Sequence, residues 1–401
     1  MEAEPVSYNP LSPGFFADPY PHYRQLREQN PVHYSRYGFW VLTRYRDVVA
    51  AYREPLLSRD MRLWENFEVW RRSPADGPLE RMMANWIVMI DPPRHSPLRA
   101  IHEQVFDSAL MTRADAVAAR IVAELAEPAR AAGGFDAVAD FADRIPVYLL
   151  CALLDVPRPD WDAFVGWSRA IALTSEPQLT TKVLQQGREA QQSFYDYLGP
   201  LAARRRARPG DDVLSAMAVT EAGGTRLSDE ELVDSLVFLY QAGHPTSTQL
   251  IALALQSLLE HPGQLGLLRD ERSLLPGAIE ELQRFDGPVQ MNDRVALADI
   301  EIDGQPVTKG QVVRLCLASA NRDEEQFPDA DRLDLRREVR GQLGYGHGLH
   351  ACIGAALGRA QTRHALGALL DFGPGLRATA QRRRYLPSPS NRGLVSLPVE
   401  F

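Results

Sequence analysis

The chain has 401 residues, a formal net charge of -8, 45 % hydrophobic residues and 24 % charged residues. That length can bury a large core and the mix is ordinary for a soluble globular protein. The acidic balance excludes the concentrated basic surface that nucleic acid demands, and three cysteines, Cys151, Cys316 and Cys352, exclude a disulfide framework.

Nothing reads as a linker, so one domain over residues 1-401 is expected. The start, Met1-Glu-Ala-Glu-Pro, has neither the basic nor the apolar region of a leader, and no stretch reaches membrane-spanning length. The expectation is a cytoplasmic monomer without membrane contact. Lys occurs only at Lys182 and Lys309, which we attribute to genomic composition and not to function.

In chain order, residues 1 to 18 are Pro-rich and irregular, and Pro19 to Gln29 reads as an amphipathic helix. Val32 to Arg36 and Phe39 to Thr43 read as strands about the turn Tyr37-Gly38, followed by a short helix over Arg46 to Arg53. Arg59 to Ile90 has no clean period but carries Trp64, Trp70 and Trp86. Asp91 opens a helix reaching about Phe106, and its four-residue spacing puts His95 and Arg99 on one face. Helical periodicity continues through Thr112 to Ala132, Ala137 to Val156, Pro159 to Leu173 and Gln178 to Arg206, and a short helix opens at Gly210. Cys151 sits in an apolar run where cysteine acts as a small hydrophobe, as does Cys316 further on.

Ser228-Asp-Glu-Glu231 has the form of a capping box and opens a helix that runs to His261. Its roughly 34 residues would span about 50 Å. Ala242-Gly243-His244-Pro245-Thr246-Ser247 interrupts it halfway. Pro245 has no N-H and clashes one turn back, so the Gln241 carbonyl loses its helical partner and a kink is expected. A further helix, Pro276 to Phe285, carries Glu281 and Arg284 at one-turn spacing. Val295 to Leu317 alternates in strand fashion, with Asp303-Gly304 and Lys309-Gly310 as hairpin turns. The tail from Arg384 mixes strand and turn, so the β-rich portions are about 32-43, 295-317 and 384-401.

The run Gly344-Tyr345-Gly346-His347-Gly348-Leu349-His350-Ala351-Cys352-Ile353-Gly354 precedes an Ala-rich helical pattern. Its glycines allow positive φ and a loop lying flat against a ligand. A cysteine at a helix start is favoured as the thiolate, the form that binds iron. The competing reading makes His347, His350 and Cys352 zinc ligands, although a closed zinc site wants a fourth.

This run resembles the cysteine-ligand loop of the cytochrome P-450 family, Phe-Gly-x-Gly-x-His-x-Cys-x-Gly, with Tyr345 at the aromatic position. The resemblance extends from about Pro19 to Leu397. It implies a mainly α fold with a smaller β region, the family's triangular prism, with haem between the long central helix and the cysteine-ligand loop. It implies haem b bound by Cys352 as the metal ligand and by Tyr345, Gly346, His350 and Gly354. His95, Arg99 and Arg294 resemble the family's propionate partners. Glu281, Arg284 and Arg332 resemble its structural triad, which locks the core around the haem loop.

Ala242, Gly243, Pro245 and Thr246 resemble the family's oxygen-binding groove, Ala-Gly-x-(Asp/Glu)-Thr-(Thr/Ser), in which the threonine hydrogen-bonds oxygen. Pro245 replaces the acid that helps deliver protons. Two outcomes stand: ordinary hydroxylation by way of water, Thr246, Ser247 or a substrate hydroxyl, or chemistry such as oxidative ring coupling, nitration or use of peroxide. By resemblance the segment holding Trp64 and Trp86 roofs a substrate pocket, with Phe238, Val289, Met291 and Asn391 beside it. The implied partners are a small organic substrate, expected to be a secondary-metabolite intermediate, dioxygen, and a ferredoxin with its reductase, for which Arg359 and Arg363 would offer docking charges. A haem-thiolate sensor without turnover, or a nitric oxide reductase, is the reading from another class.

Overall fold

The computed structural model describes residues 6-12, 14-70, 77-176 and 179-401. Residues 1-5 and 13 of the irregular start, 71-76 within the unpatterned segment, and Gln178 at the expected start of one helix lie outside them. The chain divides into two compact units, each assembled from separate stretches.

The first unit comprises residues 1-70, 252-352 and 377-397. Its helix Tyr20–Gln29 buries Tyr23 and Leu26 one turn apart. Its sheet has five strands in the spatial order Val32–Tyr34, Trp40–Leu42, Val312–Leu315, Asn292–Ala296 and Leu57–Ser58. The first two form the expected hairpin, Val32 facing Leu42, with Gly38 at φ +82 in the turn. Trp40–Leu42 then runs parallel to Val312–Leu315, a pairing of segments far apart in sequence. Leu42, Val313 and Leu315 pack against Val48 and Tyr52 of the helix Tyr45–Arg53 to form one core.

Ile300–Ile302 and Gln305–Val307 pair across Asp303 and Gly304, both at positive φ, which is the mirror-image turn that matches strand twist. Lys309-Gly310 is not a hairpin turn. Val312–Leu315 returns to pair with Asn292–Ala296, and the carbonyl of Gly310 accepts from the amide of Glu65.

The second unit comprises residues 71-251, 353-376 and 398-401. It is built on the helices Ser108–Ala132, Arg144–Leu153, Trp161–Leu173, Thr181–Ala207, the Asp229–Ile251 part of the long helix, and Ala355–Leu370. Asp107 caps the first of these by accepting from the Leu110 amide at 2.8 Å, and Gly133 at φ +70 ends it. The expected helix over 137-156 is in fact a π-helical segment, Ala137–Ala142, joined at Asp143 to an α-helix. Pro146 is the reason: with no N-H it cannot bond the Ala142 carbonyl, which instead lies 3.5 Å from the Thr248 hydroxyl.

The capping box forms as written. The Glu231 amide donates to Ser228 Oγ at 3.1 Å and the Ser228 amide donates to Glu231 Oε2 at 3.0 Å. The helix Asp229–Glu260 then runs on continuously through Pro245. Among the described residues no helix is long and apolar enough to cross a membrane.

Candidate active site

In the first unit the cysteine loop is closed by its own backbone. The Cys352 amide donates to the Tyr345 carbonyl at 2.8 Å, the Gly346 amide to Leu343 and the Ala351 amide to Gly348. Gly346 and Gly348 take φ of +71 and +70, where a side chain would be strained. A Cβ on Gly344 would sit 2.1 Å from Gln283 Nε2, and one on Gly348 would sit 3.1 Å from the Tyr52 carbonyl. At Gly348 both the positive φ and the nearby Tyr52 carbonyl favour glycine. His350 ends the short turn Gly348–His350, and Gly354 is the residue before the helix Ala355–Leu370, so Cys352 lies just ahead of that helix and not in it.

The three thiols differ sharply. Cys151 and Cys316 are buried, and burial pushes each up to about 12, where neither is a useful ligand at neutral pH. Cys352 is exposed. Among the described residues no group of three His, Cys, Asp or Glu side chains could hold a metal ion, so the zinc reading is rejected. A single accessible sulfur on a flattened glycine loop fits a haem, which needs only one protein ligand from this side because the macrocycle supplies the rest.

Tyr52 is a neighbour that sequence reading missed. Its ring lies under the Arg294 guanidinium at 5.0 Å and edge-on to His347 at 6.3 Å, and its hydroxyl accepts from Asn292 Nδ2 at 2.8 Å. It occupies an unremarkable position in an amphipathic helix, and no sequence signal marks it. Arg294 is buried, on the strand Asn292–Ala296, and donates from Nη1 to the Asp293 carbonyl at 3.0 Å.

The structural triad needs one correction. Arg284 grips Glu281 and also donates to the carbonyls of Asn321 and Ala330. The second arginine on Glu281, and so the third member of the triad, is Arg337, Nε to Oε1 at 3.2 Å. Arg332 is exposed, and its carbonyl merely accepts from Arg337. Spacing alone cannot show which arginine folds back onto Glu281.

In the second unit, Ala242, Gly243, Pro245 and Thr246 lie within the long helix, and the Thr246 hydroxyl donates to the Ala242 carbonyl at 2.7 Å. Ser247 Oγ accepts from Gln361 Nε2 at 2.8 Å. His244 is 2 % exposed and uses both ring nitrogens: Nδ1 is 2.9 Å from Ser168 Oγ and Nε2 is 2.8 Å from Asp143 Oδ1. Burial alone would raise the Asp143 carboxyl, but His244 and Arg169 outweigh it and hold that carboxyl below the usual range. Sequence reading passed over His244 as the variable position of the motif.

His95 begins the helix His95–Val105 and is buried, while Arg99 on the same face pairs with Glu103 at 2.7 Å. Trp86 and Phe238 pack together, ring centres 5.5 Å apart. Val289 and Asn391 form an isolated strand bridge in the first unit, and Trp64 is half-buried beside that unit's core. Met291 is buried with Tyr8, whose hydroxyl meets its sulfur at 3.7 Å. Asn292 Nδ2 donates to the Tyr52 hydroxyl, and Gln290 Nε2 to the Gly287 carbonyl. The Trp70 side chain lies outside the described residues. Arg363 is paired with Asp115.

A mainly helical chain with a small sheet and one accessible cysteine on a glycine loop has the features of a haem protein with a sulfur ligand. The family model described as Cytochrome P-450 matches residues 177-372. Cyclomarin C epoxidase CymV of Salinispora arenicola is 34 % identical over 94 % of this chain and 94 % of its own. Mycinamicin IV hydroxylase/epoxidase of Micromonospora griseorubida is 36 % identical over 94 % of each. The solved structure of epothilone B-bound P450epoK has a TM-score of 0.90, with 31 % identity over 98 % of this chain and 99 % of that one. The chain belongs to the cytochrome P-450 family and is a haem-dependent monooxygenase that acts on a small molecule with dioxygen and redox partners. The reading as a sensor without turnover falls with that assignment.

Proposed function

We propose that this monooxygenase hydroxylates a small organic intermediate of secondary metabolism, using haem b and electrons from a ferredoxin and its reductase, as a cytoplasmic monomer. The observation that carries the reading is Thr246, placed one residue after Pro245 with its hydroxyl held by the Ala242 carbonyl at 2.7 Å. Relatives named as a hydroxylase and as epoxidases support insertion of one oxygen atom.

When bound, haem supplies the activation of dioxygen and the two-electron oxidation of substrate. Cys352 would be its sulfur ligand. Tyr345, Gly346, His350 and Gly354 would line its loop side, and His95, Arg99 and Arg294 would hold its carboxylates. As an electron-rich sulfur, Cys352 would tune that chemistry from the loop side. Thr246, by turning its hydroxyl from the Ala242 carbonyl, holds oxygen and passes on a proton. Pro245 can do neither, so the proton arrives through water, Ser247 or a substrate hydroxyl. Glu281 and Arg284 act only by keeping the loop's surroundings rigid. Trp64, Trp86, Phe238, Val289 and Asn391 are the side chains proposed to meet substrate.

The second reading, in which Pro245 accompanies ring coupling, nitration or peroxide-driven oxidation, is favoured by one observation. Ser247, the nearest alternative donor, is already engaged by Gln361. Optical titration with cyclic peptides, polyketides and aromatic amino acids, followed by turnover of any hit with ferredoxin and reductase, tests the proposal. A hydroxylated product bears it out. Product formed only with peroxide, or a coupled or nitrated product, transfers support to the second reading.

A further inference from the structure

Pro245 removes one bond from the long helix in the turn just before Thr246, yet the helix stays continuous there. The side chains on its opposite face explain how. Residues 240, 244 and 248, four apart, share one face. The Tyr240 hydroxyl meets Cys151 Sγ at 3.4 Å, and the Thr248 hydroxyl lies 3.5 Å from the Ala142 carbonyl. Between them His244 bonds two different helical elements, Ser168 on Trp161–Leu173 and Asp143 at the head of Arg144–Leu153. Ser168 Oγ also donates to the Tyr240 carbonyl at 3.3 Å, and Asp143 is gripped from its other oxygen by Arg169. Each bond lands within one turn of the deleted one.

We propose that His244 is a positioning residue for oxygen activation: its two-point tether to Ser168 and Asp143 clamps the proline-weakened turn and so fixes where Thr246 stands. The inference rests on the role given to Thr246 above. His244 does not itself reach the reacting atoms, because two residues along a helix is a rotation of about 200°, which puts Thr246 on the other side. A histidine suits the task because one ring offers two polar atoms on opposite edges with little rotamer freedom to lose. Phenylalanine would fill the space but leave Asp143 and Ser168 without that partner.

The test compares His244→Phe, His244→Gln and Thr246→Ala with the wild-type holoenzyme. One readout is amide hydrogen exchange over residues 238-250. The other is peroxide release driven by NADPH with a plant-type ferredoxin and its reductase, without added substrate. His244→Phe is expected to exchange at least about 10-fold faster in that segment, since a loosened turn opens more often. Peroxide release is expected to rise about 3-fold in His244→Phe and in Thr246→Ala, because protons reach oxygen in the wrong place, and to return toward wild type in His244→Gln.

Wild-type exchange and peroxide release in His244→Phe, with Thr246→Ala altered, would overturn this inference alone. No change in Thr246→Ala either would overturn the role of Thr246 as well. Faster exchange without extra peroxide, or a Gln variant no better than Phe, would reduce His244 to a packing residue and also overturn it. If His244→Phe yields no folded protein, Ser168→Ala decides, with exchange in the same segment about 3-fold faster in support and wild-type exchange against.

Discussion

Arg284 meets Glu281 through two parallel bonds, Nε to Oε2 at 2.7 Å and Nη2 to Oε1 at 2.8 Å, with both side chains fully out of solvent. Such a pair is dear to break from one side, because the surviving charge stays buried. Arg284→Leu should therefore destabilise the protein by about 3–5 kcal/mol, read by urea unfolding, and should lower the yield of haem-loaded protein.

The identity of the triad's second arginine gives a separate check. Arg337→Ala removes a charged bond to Glu281 and donations to the Pro328 and Asp329 carbonyls, and should cost about 1.5–3 kcal/mol. Arg332→Ala, at an exposed position, should stay within about 0.5 kcal/mol of wild type. Equal melting losses in the two variants would contradict this assignment.

How far the sequence could lead is clear from these same residues. Glu281 and Arg284 are one turn apart, so local geometry announces their pairing. Arg337 lies 56 positions from Glu281, and no period relates them. The capping box at Ser228 and the turn at Asp303-Gly304 were legible because the groups that satisfy them are adjacent in the chain. His244 was not, since its partners Asp143 and Ser168 are 101 and 76 positions away. The contact of Met291 with Tyr8, 283 positions earlier, is hidden from the sequence for the same reason.

Asp234 yields a prediction in pH. It is fully buried on the long helix, accepts from Tyr195, and receives Asn85 Nδ2 at 2.8 Å. Burial pushes its carboxyl up to about 6, although both partners pull the other way. A carboxyl raised on folding keeps its proton longer in the native state, so its ionisation takes stability away as pH rises from about 4 through 6. Asp234→Asn has no such loss. Its unfolding free energy relative to wild type should improve across that window and level off above it. A difference that stays flat from pH 4 to pH 8 would contradict the shift.

Pro245 sits inside an otherwise regular helix, so Pro245→Ala should restore the Gln241 bond and raise stability by up to about 3 kcal/mol in thermal unfolding. Pro245→Glu restores instead the acid that the family carries here. It should raise dioxygen-driven product relative to peroxide-driven product. If that replacement changes neither rate, coupling nor product, the missing acid is irrelevant to this enzyme.

The central claim is that the Cys352 sulfur ligates haem iron, and carbon monoxide tests it most directly. The freshly purified protein, reduced and exposed to the gas, should show the strongly red-shifted Soret band peculiar to thiolate ligation, and Cys352→His should replace it with a globin-like band. A colourless wild-type protein, or a globin-like carbonyl spectrum from an undamaged preparation, would contradict the account.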